Sequence, residues 1–518
     1  MAARHSTPPN RRHAPPAGAA LWEPQLDRTS KVPVYRQLSA ALRQAVADGS
    51  LRAGARLPST RSLAAQLGIA RSTVVTVFEQ IAAEGYIEPR QGSGFFVARP
   101  LVPAVGSRCD READATARTT SRHAKSLRLV VPDWRKSPRP FETGYAEVDN
   151  RLIASWKRLA SRALSARTRL NWDYGDPQGE PALRQAIAEY LAAARGVRCR
   201  PEQIVVTSGT QQGLSLAARI LIEPGDPVWV EDPCYRSAVE ILRAAEACIV
   251  PVPVDASGLD IAAGQRIEKS PPRLVYTTPS RQYPLGMAMP FARRHELLDW
   301  AERVGSWIIE DDYESEFQQP GRALPSLQGL DQAGRVIYLG TFSKLLFPSL
   351  RLGYAVLPDD LVQPFATARY LTDRHSSGLL QGMMTEFILD GHFARHLKRM
   401  RAHYRERQEF LIDLLARHLR GVMEVPVVQS GMYLTASLLP SWSDRAAATA
   451  LAEANVVTVP LSALTLATPR PPGLILGYSG HSKAMLASAV ERMGAVFGRQ
   501  TGMTKFAELE VSRDQSIP

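Results

Sequence analysis

Cysteine and long apolar runs are both scarce in this chain of 518 residues. Its four cysteines are scattered and form no pair with metal-site spacing, so the sequence predicts no metal site, no disulfide framework and reduced thiols. They are Cys109, Cys199, Cys234 and Cys248. No uninterrupted apolar run is long enough to span a membrane, and the first residues lack the apolar core of a signal peptide. These absences predict a soluble cytoplasmic protein without a membrane partner.

Lysine is also rare, with 9 Lys against 54 Arg, and the positive charge is unevenly placed. Residues 1–140 hold 22 Lys and Arg but only 10 Asp and Glu, which accounts for the whole net charge of +12. The rest of the chain holds 41 residues of each sign and is neutral. A basic segment joined to a neutral body is typical of nucleic-acid binding, although a disordered basic tail would have the same composition.

The length of the chain predicts two or three domains. Composition and periodicity divide the chain into a flexible tail, a helical and winged segment, a polar linker, a large α/β region and a final tail. The predicted boundaries are 1–30, 31–98, 99–139, 140–500 and 501–518, with a smaller α+β lobe that begins at about residue 355.

The segment 31–98 has the pattern of three helices followed by a hairpin. Apolar residues recur every four positions from Val34 to Ala47, and a short helix follows that Ser59 or Thr60 would cap. A third helix is predicted from about Arg71 to Glu84. Two short strands would then flank a glycine turn at 88–94, which makes a wing.

This segment resembles the winged helix-turn-helix domain of GntR-type regulators. The matching stretches are Leu57-Pro58-Ser59-Thr60-Arg61, Arg71-Ser72-Thr73-Val74, Glu84-Gly85-Tyr86-Ile87 and Gly92-Ser93-Gly94-Phe95-Phe96-Val97. The resemblance implies binding to a double-stranded DNA operator, with Arg71, Ser72 and Thr73 at base edges in the major groove. Arg61 would reach a phosphate, and Arg90 in the wing would reach the backbone or the minor groove.

One position departs from this family pattern. Ala70 stands where the family usually has a small hydroxyl residue that caps the third helix. Losing such a cap costs about 1 kcal/mol. Ser72 is the alternative cap, and it would start the helix later.

In the region 140–500, short apolar runs alternate with helical stretches, as expected for strands buried on both faces of a mainly parallel sheet. One run ends in Tyr338-Leu339-Gly340-Thr341-Phe342-Ser343-Lys344, and Arg351 follows seven residues later. A lysine presented by a small-residue turn after a strand is well placed to form a Schiff base. Taken alone, however, a lysine after a strand is more often a solvated surface residue than a functional one.

Residues 140–495 resemble fold-type I pyridoxal-phosphate enzymes of the class I and II aminotransferase group. Together with the N-terminal segment, the whole chain resembles the MocR-type branch of GntR regulators, in which an aminotransferase-like domain acts mainly as an effector sensor. The resemblance implies pyridoxal 5'-phosphate as cofactor, with Lys344 as the residue that bonds to its aldehyde. Asp311 would pair with the pyridinium nitrogen, and Tyr313 would contact the ring hydroxyl or line the pocket.

Further residues are assigned to the cofactor by the same resemblance. The glycine turn Ser208-Gly209-Thr210 opens a helix and would hold the phosphate, together with Thr341 and Arg351. Tyr235 would stack on the ring, and Tyr174 would reach the phosphate of a partner subunit, which implies a homodimer. Taken singly, each of these could instead be a core aromatic or a polar loop residue.

Two stretches depart from the aminotransferase pattern. The usual Asn-Pro-x-Gly element reads Tyr283-Pro284-Leu285-Gly286, so Gln282 or Tyr283 would replace the asparagine at the ring hydroxyl. Amino-acid aminotransferases also hold the substrate carboxylate with an arginine near the last strand. Here that stretch reads Pro471-Pro472-Gly473-Leu474-Ile475-Leu476-Gly477-Tyr478, and Arg470 is the nearby candidate. The effector is therefore open between an amino compound and the cofactor itself.

Three functions are compatible with these residues and motifs. The first is a regulator that responds to pyridoxal phosphate or an amino compound, with slow or absent transamination. The second is an active aminotransferase that carries a DNA-binding module, and the third is a DNA-binding protein whose aminotransferase-like domain serves only for dimerisation. The presence of both Lys344 and Asp311 disfavours the third, and the complete winged helix disfavours the second as the main role.

Overall fold

A computed structural model describes residues 22, 24–98, 121, 124, 138–165, 173–318, 324–425 and 431–514, with side chains up to residue 498. Most of the predicted tail 1–30 and of the predicted linker 99–139 lies outside these residues, as does Cys109. Internal contacts divide the chain into two units, Met1–Thr119 and Thr120–Pro518.

The first unit contains three helices and a two-stranded hairpin among its described residues. They are α1 (Val34–Ala47), α2 (Thr60–Leu67), α3 (Arg71–Ala83), β1 (Ile87–Arg90) and β2 (Gly94–Val97). The strands pair antiparallel, with Ile87 opposite Val97. One apolar core joins all five elements, and the edge-to-face pair of Phe78 with Phe95 links α3 to the wing.

The structure identifies the N-cap residues of α2 and α3, for each of which the sequence offered two candidates. Ser59 caps α2, because its side chain accepts a hydrogen bond from the Ser62 amide. Helix α3 starts at Arg71 with Ala70 as its N-cap, and no side-chain hydrogen bond is made at that cap. The alternative in which Ser72 caps a later start is therefore wrong, since Ser72 already lies inside the helix.

Two further details differ from the predicted outline. Residues 24–30 were assigned to a flexible tail, yet Gln37 Nε2 donates to the Asp27 carbonyl at 2.9 Å and Arg28 Nη2 donates to the Leu67 carbonyl at 2.9 Å. These polar contacts hold the segment against the helices. The wing turn is also shorter than predicted, because residues 88–90 belong to strand β1.

The second unit is built on a mainly parallel sheet. In the described part of the chain this sheet has eight strands in the order β3-β10-β9-β8-β7-β4-β5-β6. The strands are β3 (Ile204–Thr207), β4 (Pro227–Asp232), β5 (Cys248–Asp255), β6 (Gly258–Leu259), β7 (Leu274–Thr277), β8 (Trp307–Asp312), β9 (Val336–Thr341) and β10 (Gly353–Val356). Strands β4, β5, β7, β8 and β9 run parallel, whereas β10 lies antiparallel between β3 and β9.

Helices cover this sheet. They are α4 (Asn150–Ser165), α5 (Pro181–Arg195), α6 (Thr210–Leu221), α7 (Arg236–Ala244), α8 (Ile261–Ile267), α9 (Phe291–Val304), α10 (Leu327–Leu330), α11 (Asp359–Asp373) and α12 (Gly378–Leu389). Strands β3, β7, β8, β9 and β10 are buried along their whole length, as their apolar runs predicted. The ends of β8 and β9 and the turn after β3 lie at one edge of the sheet, where polar residues replace the apolar ones.

A smaller lobe follows the long helix α13 (His392–His418). It has a four-stranded antiparallel sheet in the order β11-β12-β14-β13 and two helices, counted over the described residues. The elements are β11 (Met423–Glu424), β12 (Tyr433–Leu438), α14 (Asp444–Glu453), β13 (Val459–Pro460), β14 (Gly473–Gly477) and α15 (Lys483–Asp514). Helix α15 includes most of the stretch 501–518 that was predicted as a tail.

Candidate cofactor site and nucleic-acid interface

Lys344 lies in a largely enclosed position directly after β9. Its Nζ donates to the Gly144 carbonyl at 3.4 Å, and Gly144 is so close that an added Cβ would lie 2.9 Å from Nζ. Burial lowers the pKa of Lys344, while the charges of Glu314 and Asp311 oppose that shift. A buried lysine with a lowered pKa offers a larger fraction of neutral amine, which is the nucleophilic form.

Asp311 occupies the end of the neighbouring strand β8 and is 6% exposed. Its Oδ2 accepts a hydrogen bond of 2.7 Å from the Tyr276 hydroxyl, whereas Oδ1 is buried without a hydrogen-bond partner among the described residues. Burial raises the pKa of Asp311 to about 7; the Tyr276 hydrogen bond lowers it, the Asp312 charge raises it, and Lys344 lowers it. Oδ1 is therefore a buried acceptor that a cationic N–H donor would satisfy.

The adjacent acids have other partners. Asp312 Oδ2 pairs with Arg195 Nε at 2.9 Å and accepts from the Tyr338 hydroxyl at 2.6 Å. Glu310 accepts from the backbone amides that start helix α10. The charge of Lys344 lowers the pKa of Asp311, which places this carboxyl group near Lys344.

A polar pocket lies beside this pair, at the N-terminus of α6. Gly209, with a φ of 127°, is the N-cap of α6, and a Cβ added there would lie 3.7 Å from Arg351 Nη2. Ser208 and Thr210 flank Gly209, and the first turn of a helix leaves backbone amides without helical partners. The Ser208 amide donates to Gln212 Oε1 at 2.8 Å and the Gly209 amide donates to Thr207 Oγ1 at 3.3 Å, while the start of the helix and the Arg351 guanidinium place positive charge at this turn.

Thr341 and Ser343 extend the same pocket from the β9 side. Thr341 Oγ1 accepts from the Ser343 amide at 3.1 Å, and it also lies 3.4 Å from the Leu352 carbonyl. Ser343 Oγ is buried and lacks a hydrogen-bond partner within the described residues. Ser343 was missed from the sequence, although it directly precedes Lys344.

Tyrosine side chains form another wall. Tyr235 accepts from Gln211 Nε2 at 3.0 Å, and its ring meets the Tyr283 ring edge-to-face with centroids 5.7 Å apart. Burial raises the pKa of Tyr235, the Asp311 charge raises it further, and Arg351 lowers it, so Tyr235 lies near both charged groups.

The remaining tyrosines come from both lobes. Tyr283 also meets Tyr313 and Tyr433, with centroids 6.1 Å and 5.5 Å apart. The hydroxyls of Tyr313 and Tyr433 are 2.8 Å apart, and Tyr313 also donates to the Arg281 carbonyl. Tyr433 lies on β12 of the small lobe, so the two lobes meet at this wall.

The Gln282 side chain is held by hydrogen bonds to neighbouring segments. Its Nε2 donates to Glu231 at 3.2 Å and to the Pro233 carbonyl at 2.8 Å, while its Oε1 accepts from the Leu285 amide. These bonds engage both polar atoms of the Gln282 side chain.

Two predicted residues lie apart from this group in the single chain. Tyr174 is 75% exposed and contacts Arg374 and His375 instead of the Lys344 pocket. Arg470 Nη2 donates to the carbonyls of Asp232 and Val254, at 3.3 Å and 2.5 Å.

Residues far apart in sequence complete the pocket, and sequence reasoning missed them. Gly144 is 200 positions from Lys344, and Tyr276 is 35 positions from Asp311. Glu314 pairs with Arg281 in a buried ion pair. The glycine and tyrosine carry no local signal, whereas Glu314 follows Tyr313 directly and continues the acidic run.

On the first unit, the predicted DNA-contacting residues lie on one end of α3, at the start of α2 and in the wing. Arg61, Arg71 and Ser72 are exposed, and Thr73 is half-buried. Arg90 pairs with Glu88 at 2.7 Å, and its guanidinium lies 4.4 Å from the centre of the Phe96 ring. Apart from Arg90, these side chains extend from the helix ends that a helix-turn-helix places at DNA.

Neither a metal centre nor a membrane span is found within the described ranges. No group of three or more His, Cys, Asp or Glu there could hold a metal ion. No helix among those residues is both long and apolar enough to cross a bilayer. Cys199, Cys234 and Cys248 are free thiols.

Comparison with known proteins identifies both units. Residues 143–493 match the model of class I and II aminotransferases, and residues 34–97 match that of bacterial regulatory proteins of the gntR family. The chain is 39% identical to the probable rhizopine catabolism regulatory protein MocR of Rhizobium meliloti, over 91% of this chain and 95% of that protein. The chain belongs to the MocR-type branch of the GntR family.

Two other similarities agree with this assignment. The pyridoxine biosynthesis regulator PdxR of Corynebacterium glutamicum is 31% identical over 87% of this chain and 93% of its own length. The α-aminoadipate aminotransferase LysN of Thermus thermophilus, solved with a phosphopyridoxyl-leucine compound, is 28% identical with a TM-score of 0.64. That similarity covers 70% of this chain and 92% of LysN.

The predicted recognition, fold class and cofactor are confirmed. This MocR-type chain is a DNA-binding transcriptional regulator with a fold-type I aminotransferase domain, whose cofactor is pyridoxal 5'-phosphate. The described residues fit that group: Asp311 Oδ1 is a buried acceptor without a partner among them, Lys344 is near it, and Gly209 leaves room beside Arg351.

Proposed function

We propose that this chain acts as a homodimeric regulator that binds its operator according to the state of the Lys344 pocket. One observation carries the proposal. Lys344 lies near Asp311, whose buried Oδ1 has no partner among the described residues, and the same chain has a complete winged helix. A scaffold used only for dimerisation would not need a half-buried lysine beside a buried carboxylate oxygen that has no partner among the described residues, since such groups cost stability.

The proposed roles follow from the contacts. When bound, pyridoxal phosphate supplies an aldehyde that condenses with amines and a ring that withdraws electrons. Lys344 supplies the amine that holds the cofactor covalently, and Asp311 Oδ1 accepts a hydrogen bond from its ring nitrogen. Tyr276 fixes the carboxylate through the hydrogen bond to Oδ2. Tyr235 covers the ring, and Tyr283 and Tyr313 line its edge.

The phosphate is assigned to the pocket at the start of α6. Arg351 supplies the positive charge, Ser208, Gly209 and Thr210 supply backbone amides, and Thr341 supplies a hydroxyl. Tyr174 completes the same phosphate site in a second copy of the chain, which is why the functional unit is a homodimer. Its exposure of 75% in the single chain leaves its ring available for that contact.

On the winged helix, we assign base contacts to Arg71, Ser72 and Thr73 and backbone contacts to Arg61 and Arg90. An amino compound that displaces Lys344 changes the affinity for DNA only if it binds the DNA-competent and DNA-incompetent forms unequally. The cofactor itself is the alternative signal, and it would act by the same linkage.

The test is binding of the purified protein to DNA upstream of its own gene, with and without pyridoxal phosphate. Binding that depends on the cofactor supports the proposal. Binding that ignores it leaves a separate amino compound or a scaffold as the explanation. Absence of specific binding places the operator elsewhere or favours an enzyme.

The cofactor assignment has its own test. Lys344→Ala should abolish the visible absorbance band of the lysine-bound cofactor, whereas Lys157→Ala, at an exposed position on α4, should keep it. A band that persists in Lys344→Ala would contradict the assignment.

An active aminotransferase with a DNA-binding module is the second candidate, because Lys344 and Asp311 are both in place. Multiple-turnover conversion of an amino donor, abolished by Lys344→Ala, would establish it. A spectral change limited to a single turnover, in a protein whose DNA binding still responds to the ligand, would favour the sensor.

A further inference from the structure

The small-lobe wall of the pocket is apolar where a carboxylate receptor would need a cation. Tyr433, Leu464 and Ile475 form one buried cluster, and Tyr283 and Tyr313 pack against it. Ile475 is 0% exposed and lies in the centre of its sheet, opposite Thr435 on β12 and Val459 on β13. This aliphatic residue stands in the last strand, near which amino-acid aminotransferases carry an arginine.

The guanidinium groups beside this cluster are already engaged. Arg281 donates to the Tyr433 carbonyl at 3.0 Å, lies over the Tyr433 ring and is paired with Glu314. Arg470 donates to the carbonyls of Asp232 and Val254. Arg281 is neutralised by a buried acid, and Arg470 is held at the ends of strands β4 and β5.

A carboxylate moved from water against such a wall loses its hydration without gaining a paired cation among the described residues. An uncharged aromatic or aliphatic group gains from the same burial. The wall therefore discriminates against the carboxylate of an amino acid, while Lys344 and the cofactor still select a primary amine.

Building on the proposed function, we infer that the effector of this site is a primary amine without a carboxylate, whose body packs against the tyrosines that cover Ile475 and Leu464. Specificity would arise partly from discrimination against amino acids, because binding one would leave its carboxylate desolvated and unpaired.

Matched compounds test this inference directly. The visible absorbance of the cofactor-loaded full-length protein is titrated with phenethylamine and with L-phenylalanine, and then with isobutylamine and L-valine. Each pair differs only in the carboxylate. The same titrations of free pyridoxal phosphate give the intrinsic preference of the aldehyde, which is divided out. We expect each amine to bind at least about tenfold more tightly than its amino acid.

Two variants at one position add a reversal test. Ile475→Arg should reduce or invert the preference, because it places a cation on the wall, whereas Ile475→Met should keep it. If Ile475→Arg loses the absorbance band, Leu464→Arg at a loop position serves instead. Amino acids that bind the wild-type protein as tightly as their amines overturn the inference. The absence of any spectral response to either amine also overturns it and favours the cofactor itself as signal.

DNA binding measured on the same preparations separates this inference from the proposed function. An amine preference without any effect of cofactor or amine on DNA binding refutes the regulatory coupling and leaves the pocket assignment intact. DNA binding that depends on the cofactor, together with a preference for amino acids over amines, would support the regulatory coupling and refute the inference about the effector.

Discussion

The strongest consequence of burying Asp311 is a pH dependence of the cofactor-free protein. Burial raises its pKa from 3.8 to about 7, because a charged carboxylate there loses hydration and has Oδ1 unsatisfied within the described residues. The unfolded chain deprotonates near pH 3.8 and the folded chain near pH 7, so the unfolded state gains stability over this range as pH rises. The full penalty is ~4 kcal/mol above pH 7, and about 2 kcal/mol of it develops between pH 5.5 and 8.

Asp311→Asn removes this titration while keeping the size of the side chain and an acceptor for Tyr276. The free energy of unfolding of Asp311→Asn minus that of wild type should therefore be about 2 kcal/mol larger at pH 8 than at pH 5.5, because only wild type loses this stability as pH rises. Only this difference is diagnostic, because other buried acids titrate in both proteins and any constant cost of a buried amide cancels.

Urea unfolding of the cofactor-free proteins, followed by tryptophan fluorescence, measures the effect. Asp299→Asn on α9 is the matched control, since Asp299 is exposed. A relative stability of Asp311→Asn that stays the same at both pH values would refute the burial argument. Asp311→Asn should also weaken cofactor binding, because an amide is a poorer partner for a cationic ring nitrogen.

Two predictions concern the winged helix. Arg71→Ala should cost roughly 1 to 3 kcal/mol on the specific operator and relax its sequence preference, measured by fluorescence anisotropy against scrambled DNA, whereas equal weakening on both DNAs would reassign Arg71 to phosphate. Ala70→Ser should raise the stability of the N-terminal unit by about 1 kcal/mol by supplying the missing cap, and Ser59→Ala should lower it by a similar amount, both followed by calorimetry of the full chain. No gain from Ala70→Ser would show that the α3 amides are already satisfied.

The order of helices and strands along the chain was predictable, because each element is marked by a pattern within its own short segment. Strands buried on both faces read as continuous apolar runs, so the parallel strands around Asp311 and Lys344 were found from sequence. The ends of parallel strands meet at one edge of a sheet, and the adjacent strands β8 and β9 carry these two residues at that edge.

The contacts that complete the pocket were not predictable, since they join distant segments. Nothing around Gly144 indicates that it packs on Lys344, and only the sheet order places Tyr276 beside Asp311. The alternative prediction of Ser72 as the N-cap of α3 was wrong for a different reason. A cap requires extended backbone at the residue before the helix, and Ala70 adopts it with φ −61° and ψ 137°. The predicted start at Arg71 agrees with the structure, and Ser72 was offered as the alternative only because alanine is a poor cap.

Tyr174 offers the sharpest test of the proposed homodimer. In the single chain its ring lies against Arg374 and His375 at the surface, so a role at the phosphate requires a second copy. Lys344→Ala and Tyr174→Ala should each impair cofactor binding in homodimers. Co-expressed with different affinity tags, they yield heterodimers in which one site has Lys344 from one chain and Tyr174 from the other.

That heterodimer should bind one cofactor per dimer with wild-type affinity, measured by absorbance and equilibrium dialysis. The second site carries both substitutions and stays empty. If Tyr174 acted within its own chain, every site of the heterodimer would carry one substitution, and no tight site would return. The stoichiometry of tight binding therefore decides whether the site is shared, and a shared site would couple cofactor binding to the pairing of the two DNA-binding domains.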